Sequence, residues 1–218
     1  MNAPSGACNS LVLSYLGLRK AVGYLGTALP FVLAFGGMLL DGPGIQGSIS
    51  SYYYTGMRNV FVGTLCAIGV FMLSYRGYER KDDIAGDLAC VFAVVVALFP
   101  TTPHGTPSAM DKLIGTIHLA SAAAFFLTLS YFSLILFTKT DPNKQPTLRK
   151  IQRNKVYKAC GYTMLAALAL MVFRALLPTN IAAYLDKIDP VFWLESVAVI
   201  AFGVSWLTKG EAMLKDET

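Results

Sequence analysis

Hydrophobic residues along the chain fall into six long runs that short polar or charged segments separate. Each run approaches or exceeds the roughly 20 residues that an α-helix needs to cross the hydrocarbon core of a bilayer. The pattern predicts an all-α fold in which residues 1–218 form a single membrane domain, a polytopic six-span transmembrane helical bundle. The predicted spans are residues 21–40, 59–75, 84–99, 113–137, 159–177 and 191–208.

The first hydrophobic run, residues 11–40, is longer than one crossing requires. Arg19 and Lys20 interrupt it, so the sequence predicts a break there. Residues 10–18 would form a short N-terminal interfacial helix, and the first span would follow. Four glycines of this span leave room for neighbouring helices to approach closely. They are Gly23, Gly26, Gly36 and Gly37.

Composition supports a membrane protein and argues against a soluble domain. Hydrophobic residues make up 55% of the chain and charged residues only 14%, and the mean hydropathy is +0.53. The formal net charge of +5 does not indicate nucleic-acid binding. Such binding needs a basic face on a soluble module, whereas these cations cluster between the hydrophobic runs. We therefore expect no nucleic-acid partner.

Lysine and arginine concentrate in alternate connections, which orients the bundle in the membrane. They precede the first span and follow the second, fourth and sixth. Short cytoplasmic connections retain these residues, so the sequence predicts a multi-pass protein of the cell inner (plasma) membrane with both termini cytoplasmic. The connection from Lys139 to Lys158 is the most basic. Membrane lipids are therefore expected partners, since anionic headgroups attract such a segment.

The most unusual local sequence is SISSYYYTGMRNVF, residues 48–61, in which a polar and aromatic segment leads directly into a hydrophobic helix. Tyr52, Tyr53 and Tyr54 stand just before Arg58 at the junction. Aromatic residues at this position are typical of an interfacial belt, or they form the walls of a ligand site. Trp193 and Trp206, at opposite ends of the sixth span, are predicted to be belt residues.

Four ionisable residues are predicted to share one depth near the outer surface. They are Arg58, His118, Arg174 and Glu195. A charge inside hydrocarbon costs about 3 kcal/mol on insertion scales, so each needs a partner, water or a function. Snorkelling arginines, a glutamate at a helix N-terminus and a histidine bonded to a neighbouring helix are the structural alternatives.

The shared depth predicts an outward-facing polar pocket that binds or passes a small ligand or lipid headgroup. An anionic group would lie near Arg58 and Arg174, with the tyrosines as walls. Glu195 and His118 would act as hydrogen-bonding or proton-carrying partners. We expect Glu195 to be ionised and paired with one of the two arginines, because a carboxyl group without a partner takes up a proton at that depth whereas an arginine stays charged.

Two other classes of function stay open at this stage. In a lipid-modifying enzyme, His118 would be the general base, Glu195 would orient it, and Ser121 would lie on the same helix face three residues on. In an accessory or assembly subunit, the basic connection would contact a membrane partner, or the chain would form a homo-oligomer. The chain has only two histidines, His104 and His118, so we predict no metal centre and no cofactor.

A family resemblance follows from these features. The Ser48 to Ser50 segment before an aromatic loop, the Arg58-x-Val60-Phe61 entry into a helix and six spans with cytoplasmic termini resemble one group of small membrane proteins. This is the DRAM-like and Sfk1-like group of six-helix proteins, together with related bacterial families of unknown function. The resemblance implies a polytopic helical bundle with a connection to lipids.

Overall fold

The computed structural model describes residues 5–77, 79–140 and 145–214, with side chains from residue 15 onward. Within these residues the chain forms α-helices and short helical turns without a β-strand, which confirms the predicted all-α class. The α-helices are α1 Ser5–Leu40, α2 Arg58–Leu73, α3 Arg80–Leu98, α4 Ala109–Tyr131, α5 Leu148–Leu176, α6 Thr179–Leu185 and α7 Pro190–Lys209.

Four helices are long and apolar enough to cross a membrane. They are α1 from Tyr15, α4 with its π-helical extension Phe132–Leu136, α5 and α7. Helix α2 is apolar but has only 16 residues, and α3 begins with the charged sequence RKDD. The fold is therefore compatible with an integral membrane protein, with four candidate spans by length and composition where the sequence predicts six.

The six long helices close into a ring. Helix α1 packs against α2 and α7, α3 lies between α2 and α4, and α5 lies between α4 and α7. Arg19, Lys139 and Lys209 lie near one end of this ring, which we call the basic end. The opposite end holds the 41–57 connection and Glu195, and we call it the Glu195 end.

Helix α1 is continuous from Ser5 to Leu40, so the predicted break at Arg19 and Lys20 is wrong. Arginine and lysine are good helix formers, and a pair of them marks a membrane boundary without ending a helix. The predicted interfacial segment is the first part of α1.

Close approach at the glycines of α1 is confirmed. A Cβ added to Gly23 would lie 2.6 Å from Cγ of Leu207, and one added to Gly26 would lie 2.8 Å from the ring of Phe202. Both distances are shorter than a real Cβ contact, so a larger residue would push α1 and α7 apart. This contact joins the first long helix of the ring to the last.

Helix α5 begins at Leu148, well before the predicted start of the fifth span at residue 159. The side chain of Thr147 caps it by accepting a hydrogen bond of 3.1 Å from the backbone N–H of Lys150. Much of the predicted basic connection is therefore helical. Its helical cations are Arg149, Lys150, Arg153, Lys155 and Lys158, whereas Lys144 lies outside the described residues.

Buried aromatic rings fill the interior of the basic end. They are Tyr75, Phe132, Phe137, Tyr157, Phe202 and Trp206. Trp206 is only 1% exposed and packs its ring edge to face against Phe137, so its predicted place in an interfacial belt is wrong. Trp193, at the other end of α7, is 56% exposed, as a residue facing lipid would be.

Candidate functional site

The 41–57 connection folds back onto the Glu195 end and is closed by its own polar groups. The carboxylate of Asp41 accepts hydrogen bonds of 3.0 and 3.1 Å from the backbone N–H of Gly56, which joins the two ends of the connection. Between them, Ser50–Tyr54 forms a 3₁₀ helix. Ser48 lies just before this helix and Ser51 within it, and a hydrogen bond of 2.7 Å joins their hydroxyls. The connection is thus an ordered cap on the bundle.

Tyr52 anchors this cap in the core instead of forming a pocket wall. It is 1% exposed and packs against Gly37, where an added Cβ would lie 2.7 Å from its ring. Met57 packs in the same way against Gly36. Burial is the main cause that raises the pKa of Tyr52 above its ordinary value, so its hydroxyl stays neutral at physiological pH.

Tyr53, Tyr54 and Arg58 form contacts on the surface of the cap. The guanidinium of Arg58 lies 4.1 Å from the centre of the Tyr53 ring and donates a hydrogen bond to its hydroxyl. The hydroxyl of Tyr54 donates a hydrogen bond of 2.6 Å to the carbonyl oxygen of Thr101, which fastens the cap to the connection between α3 and α4. Arg58 is exposed, so it faces outward from the bundle.

Arg174 pairs with a carboxylate that the sequence argument overlooked. Its guanidinium donates hydrogen bonds to both carboxylate oxygens of Asp186, and the Nε–Oδ1 distance is 3.1 Å. Asp186 follows α6 in the short connection to α7. The sequence signal for this pair is an acidic residue twelve positions after an arginine at a helix end. This pair occupies Arg174 away from the predicted pocket.

Glu195 pairs with backbone groups and not with an arginine, so the predicted ion pair with Arg58 or Arg174 is wrong. Its Oε2 atom accepts a hydrogen bond of 2.6 Å from the N–H of Ile49 and a longer one of 3.4 Å from the N–H of Ser50. These N–H groups open the 3₁₀ helix, where the backbone offers donors without a partner. No described residue donates a hydrogen bond to Oε1.

A small cavity of about 40 Å³ lies beside Glu195 in the middle of the ring. By the usual measure it has room for about three water molecules. Glu195 and Ser50 are the polar residues of its lining, and apolar side chains from α1, α2, α3, α4 and α7 form the rest of the lining. These include Leu29, Phe61, Val96, Phe126 and Val199. A single carboxylate therefore faces an otherwise apolar space.

His118 is placed apart from this cavity. It is 1% exposed, and its Nδ1 atom lies 2.6 Å from the carbonyl oxygen of Phe99, so it ties α4 to the end of α3. Ser121 lies on the same helix, and neither residue lines the cavity beside Glu195. The structure thus brings Glu195 together with Ile49 and does not join it to the two other candidate catalytic residues.

Comparison with known proteins gave no match among protein-family models, curated proteins or solved structures. Within the described part of the chain, no three His, Cys, Asp or Glu side chains come together as metal ligands would. The geometry of the chain itself therefore carries the functional conclusion.

Proposed function

We propose that the chain is a six-span integral membrane protein with both termini in the cytoplasm. Helices α2 and α3 complete the same closed ring as the four longer candidate spans. The 16 residues of α2 cover about 24 Å at 1.5 Å per residue, and Arg58 at its start reaches the outer headgroups by snorkelling. The lysines and arginines of the basic end support a cytoplasmic position for that end.

Thiol labelling in intact cells tests this topology. His104→Cys and Gln145→Cys, each in a chain without its native cysteines, place single thiols in exposed positions of opposite connections. A membrane-impermeant reagent should label residue 104 from outside and should reach residue 145 only after permeabilisation. Labelling of residue 145 in intact cells would overturn the orientation.

The function that we propose is binding of a small neutral or cationic group in the cavity beside Glu195. The observation that carries this proposal is the Oε1 atom of Glu195, which accepts no hydrogen bond from a described residue and belongs to a carboxylate that lines a largely apolar cavity. The two backbone N–H donors at Oε2 favour the ionised carboxylate. In that form Glu195 disfavours an anion and attracts a cation or a hydrogen-bond donor. The volume of about 40 Å³ admits a group the size of an ammonium ion and excludes a whole lipid headgroup.

Small organic cations provide the test. Methylammonium, added to the purified protein, should raise the midpoint of thermal unfolding, because a ligand that binds only the folded state stabilises it. Glu195→Gln should remove this shift, since the amide keeps an acceptor oxygen but loses the charge. Asp87→Asn is the matched control, because Asp87 is an exposed carboxylate on α3 whose partner is Arg76. Equal shifts in all three proteins would refute the proposal.

The alternatives differ in how much of the geometry supports them. A lipid-modifying enzyme has no support from the contacts of His118, whose ring is bonded to a backbone carbonyl and buried. An accessory subunit of a membrane complex is compatible with the fold but has no specific observation in its favour. Membership of the DRAM-like and Sfk1-like group is likewise a proposal, which rests on the short motif and the predicted topology.

A further inference from the structure

Cations from three helices converge at the basic end of the bundle. Lys150 on α5 donates a hydrogen bond of 2.8 Å from Nζ to the carbonyl oxygen of Phe137. The Nζ atom of Lys209 lies 5.2 Å from the centre of the Phe137 ring. Gly210 packs directly against α1, since an added Cβ would lie 3.2 Å from Cβ of Arg19. Arg19, Lys150 and Lys209 therefore surround the C-terminal end of α7.

The guanidinium of Arg19 is positioned by aromatic rings. It lies 4.3 Å from the centre of the Tyr15 ring and 5.7 Å from that of Tyr75. Tyr15 is itself fixed, because its hydroxyl donates a hydrogen bond of 2.7 Å to the carbonyl oxygen of Arg76. The Nε atom of Arg19 is nevertheless buried without a hydrogen-bond partner among the described residues. Stacking thus holds the cation although its Nε–H has no acceptor among the described residues.

A second buried donor belongs to Trp206, which lines the same small cavity as Arg19. The indole N–H of Trp206 is also buried without a hydrogen-bond partner among the described residues. Trp206 and Arg19 both line a cavity of about 10 Å³, which has room for about one oxygen atom of a bound group or one water molecule. Buried N–H groups in folded proteins are nearly always paired. Two such donors on residues that line one cavity point to an oxygen acceptor at this end of the bundle.

Neighbouring cations at this end already have carboxylate partners. Lys139 lies 2.7 Å from Asp82, and Arg153 lies 3.9 Å from Glu211. Lys209, in contrast, donates no hydrogen bond to any described residue. The negative end of the α7 dipole favours a cation at this position. That effect accounts for a positive charge on the last turn but not for the two buried donors beside it.

We propose that Arg19, Lys209 and Trp206 bind the phosphate group of an anionic phospholipid at the basic end. The planar guanidinium matches two phosphate oxygens, the ammonium adds a compact charge, and the indole supplies a neutral donor. The position suits a headgroup, because the candidate span of α1 starts at Tyr15 and α7 ends at Lys209. Anionic headgroups lie at this boundary on the cytoplasmic side. The site is at the opposite end from Glu195 and does not depend on ligand binding there.

Fluorescence provides a direct test, because the chain has only two tryptophans. In Trp193→Phe, Trp206 is the sole tryptophan and reports on its own surroundings. The full chain is titrated with phosphatidylcholine vesicles that contain phosphatidic acid, with pure phosphatidylcholine vesicles, and with inorganic phosphate or glycerol phosphate in detergent. The same titrations are made with Arg19→Gln and Lys209→Gln. Arg80→Gln, an exposed cation of the basic end, is the matched control.

Phosphatidic acid should shift the emission of Trp206 and raise the thermal midpoint, and pure phosphatidylcholine should do neither. Arg19→Gln and Lys209→Gln should each weaken binding at least about tenfold, as expected for charge-assisted hydrogen bonds. Arg80→Gln should weaken it by no more than about fivefold, the effect of one surface cation. An equal response to the soluble phosphates would keep the phosphate site and identify a soluble phosphate compound as its ligand.

Three results would overturn the proposal. One is an unchanged titration in both Arg19→Gln and Lys209→Gln. Another is the same loss in Arg80→Gln, which would mean that general surface charge attracts the lipid. The third is no response of Trp206 to any phosphate, which would assign the small cavity to water. Thermal unfolding without lipid shows whether each variant is folded. If Arg19→Gln does not fold, Lys209→Gln alone tests the phosphate site.

Discussion

The Oε2 atom of Glu195 accepts a hydrogen bond of 2.6 Å from the backbone N–H of Ile49, although the two residues are 146 positions apart in the chain. This bond fixes the last helix of the ring to the first connection. Because the donor belongs to the start of a 3₁₀ helix, the carboxylate satisfies backbone groups that the connection cannot satisfy for itself.

Removing this carboxylate should loosen the cap. Glu195→Ala leaves the N–H groups of Ile49 and Ser50 without an acceptor, and an unsatisfied buried donor costs about 1–3 kcal/mol. We expect a loss of that order in the free energy of unfolding, with faster hydrogen exchange of the amides in residues 49–54. Glu195→Gln keeps an acceptor oxygen and should lose less. Equal losses in the two variants would mean that these hydrogen bonds do not hold the cap.

Close contact between α1 and α7 should make Gly203 intolerant of a larger residue. A Cβ there would lie 2.6 Å from the backbone nitrogen of Thr27 and 2.7 Å from the carbonyl oxygen of Gly23. Backbone atoms of a packed helix cannot move aside as a side chain can, so Gly203→Ala should destabilise the protein by about 1–3 kcal/mol.

Gly63 provides the matched control, since a Cβ on this residue of α2 would meet nothing within 4 Å. Gly63→Ala should stabilise the helix by about 0.5–1 kcal/mol, because alanine loses less backbone entropy than glycine on folding. Denaturant unfolding of both variants in the same detergent compares them. A Gly203→Ala protein as stable as the wild type would contradict the observed approach of the two helices.

The ion pair of Lys139 with Asp82 is asymmetric in burial. The carboxylate side chain is 2% exposed and the lysine side chain 29%, at a distance of 2.7 Å. Breaking a fully buried pair costs about 3–5 kcal/mol, so Lys139→Met should cost somewhat less because the lysine keeps contact with water. Lys139→Met combined with Asp82→Asn should recover part of the loss, which thermal unfolding of the single and double variants measures.

The same pair predicts a change in stability at high pH. The hydrogen bond to Asp82 is the main cause that raises the pKa of Lys139 above its ordinary value of 10.5. A raised pKa in the folded state means that the stabilisation is complete below 10.5 and is lost as the pH rises through the higher folded value. The wild type should therefore lose stability in that alkaline range relative to the double variant. Parallel curves for the two proteins would exclude this linkage.

Chemical modification should distinguish the two histidines. His104 is exposed, whereas His118 is 1% exposed and bonded to the carbonyl oxygen of Phe99. Diethyl pyrocarbonate should therefore modify His104 rapidly in the folded protein and His118 only after unfolding, as mass spectrometry of peptides would detect. Rapid modification of His118 in the folded protein would restore it as a candidate general base.

Long-range features of this fold differ in how far the sequence predicts them. Runs of apolar residues predict the helices. The close contacts at Gly23 and Gly26 are predictable because glycine has no side chain to keep a neighbouring helix away. The early start of α5 was missed because hydropathy marks where a helix enters lipid, whereas lysine, arginine and glutamine continue the same helix into water.

The partners of Glu195 were missed for a different reason. Pairing by charge considers only side chains, and two arginines were available at the predicted depth. The actual donors are backbone N–H groups of a connection, and their orientation depends on a fold that charge counting does not contain. Trp206 raises a related difficulty, because a tryptophan near the end of a span has the same sequence pattern whether it faces lipid or packs in the core.

Helix α7 packs between α1 and α5 and carries the carboxylate that holds the cap, yet it comes after the other described helices in the sequence. During synthesis, the glycine face of α1 and the amides of Ile49 and Ser50 therefore have no partners until α7 has been made. A nascent chain stalled before that point exposes the glycine face of α1 and leaves these backbone donors without an acceptor. Synthesis of α7 is thus the step that completes the contacts among the described helices.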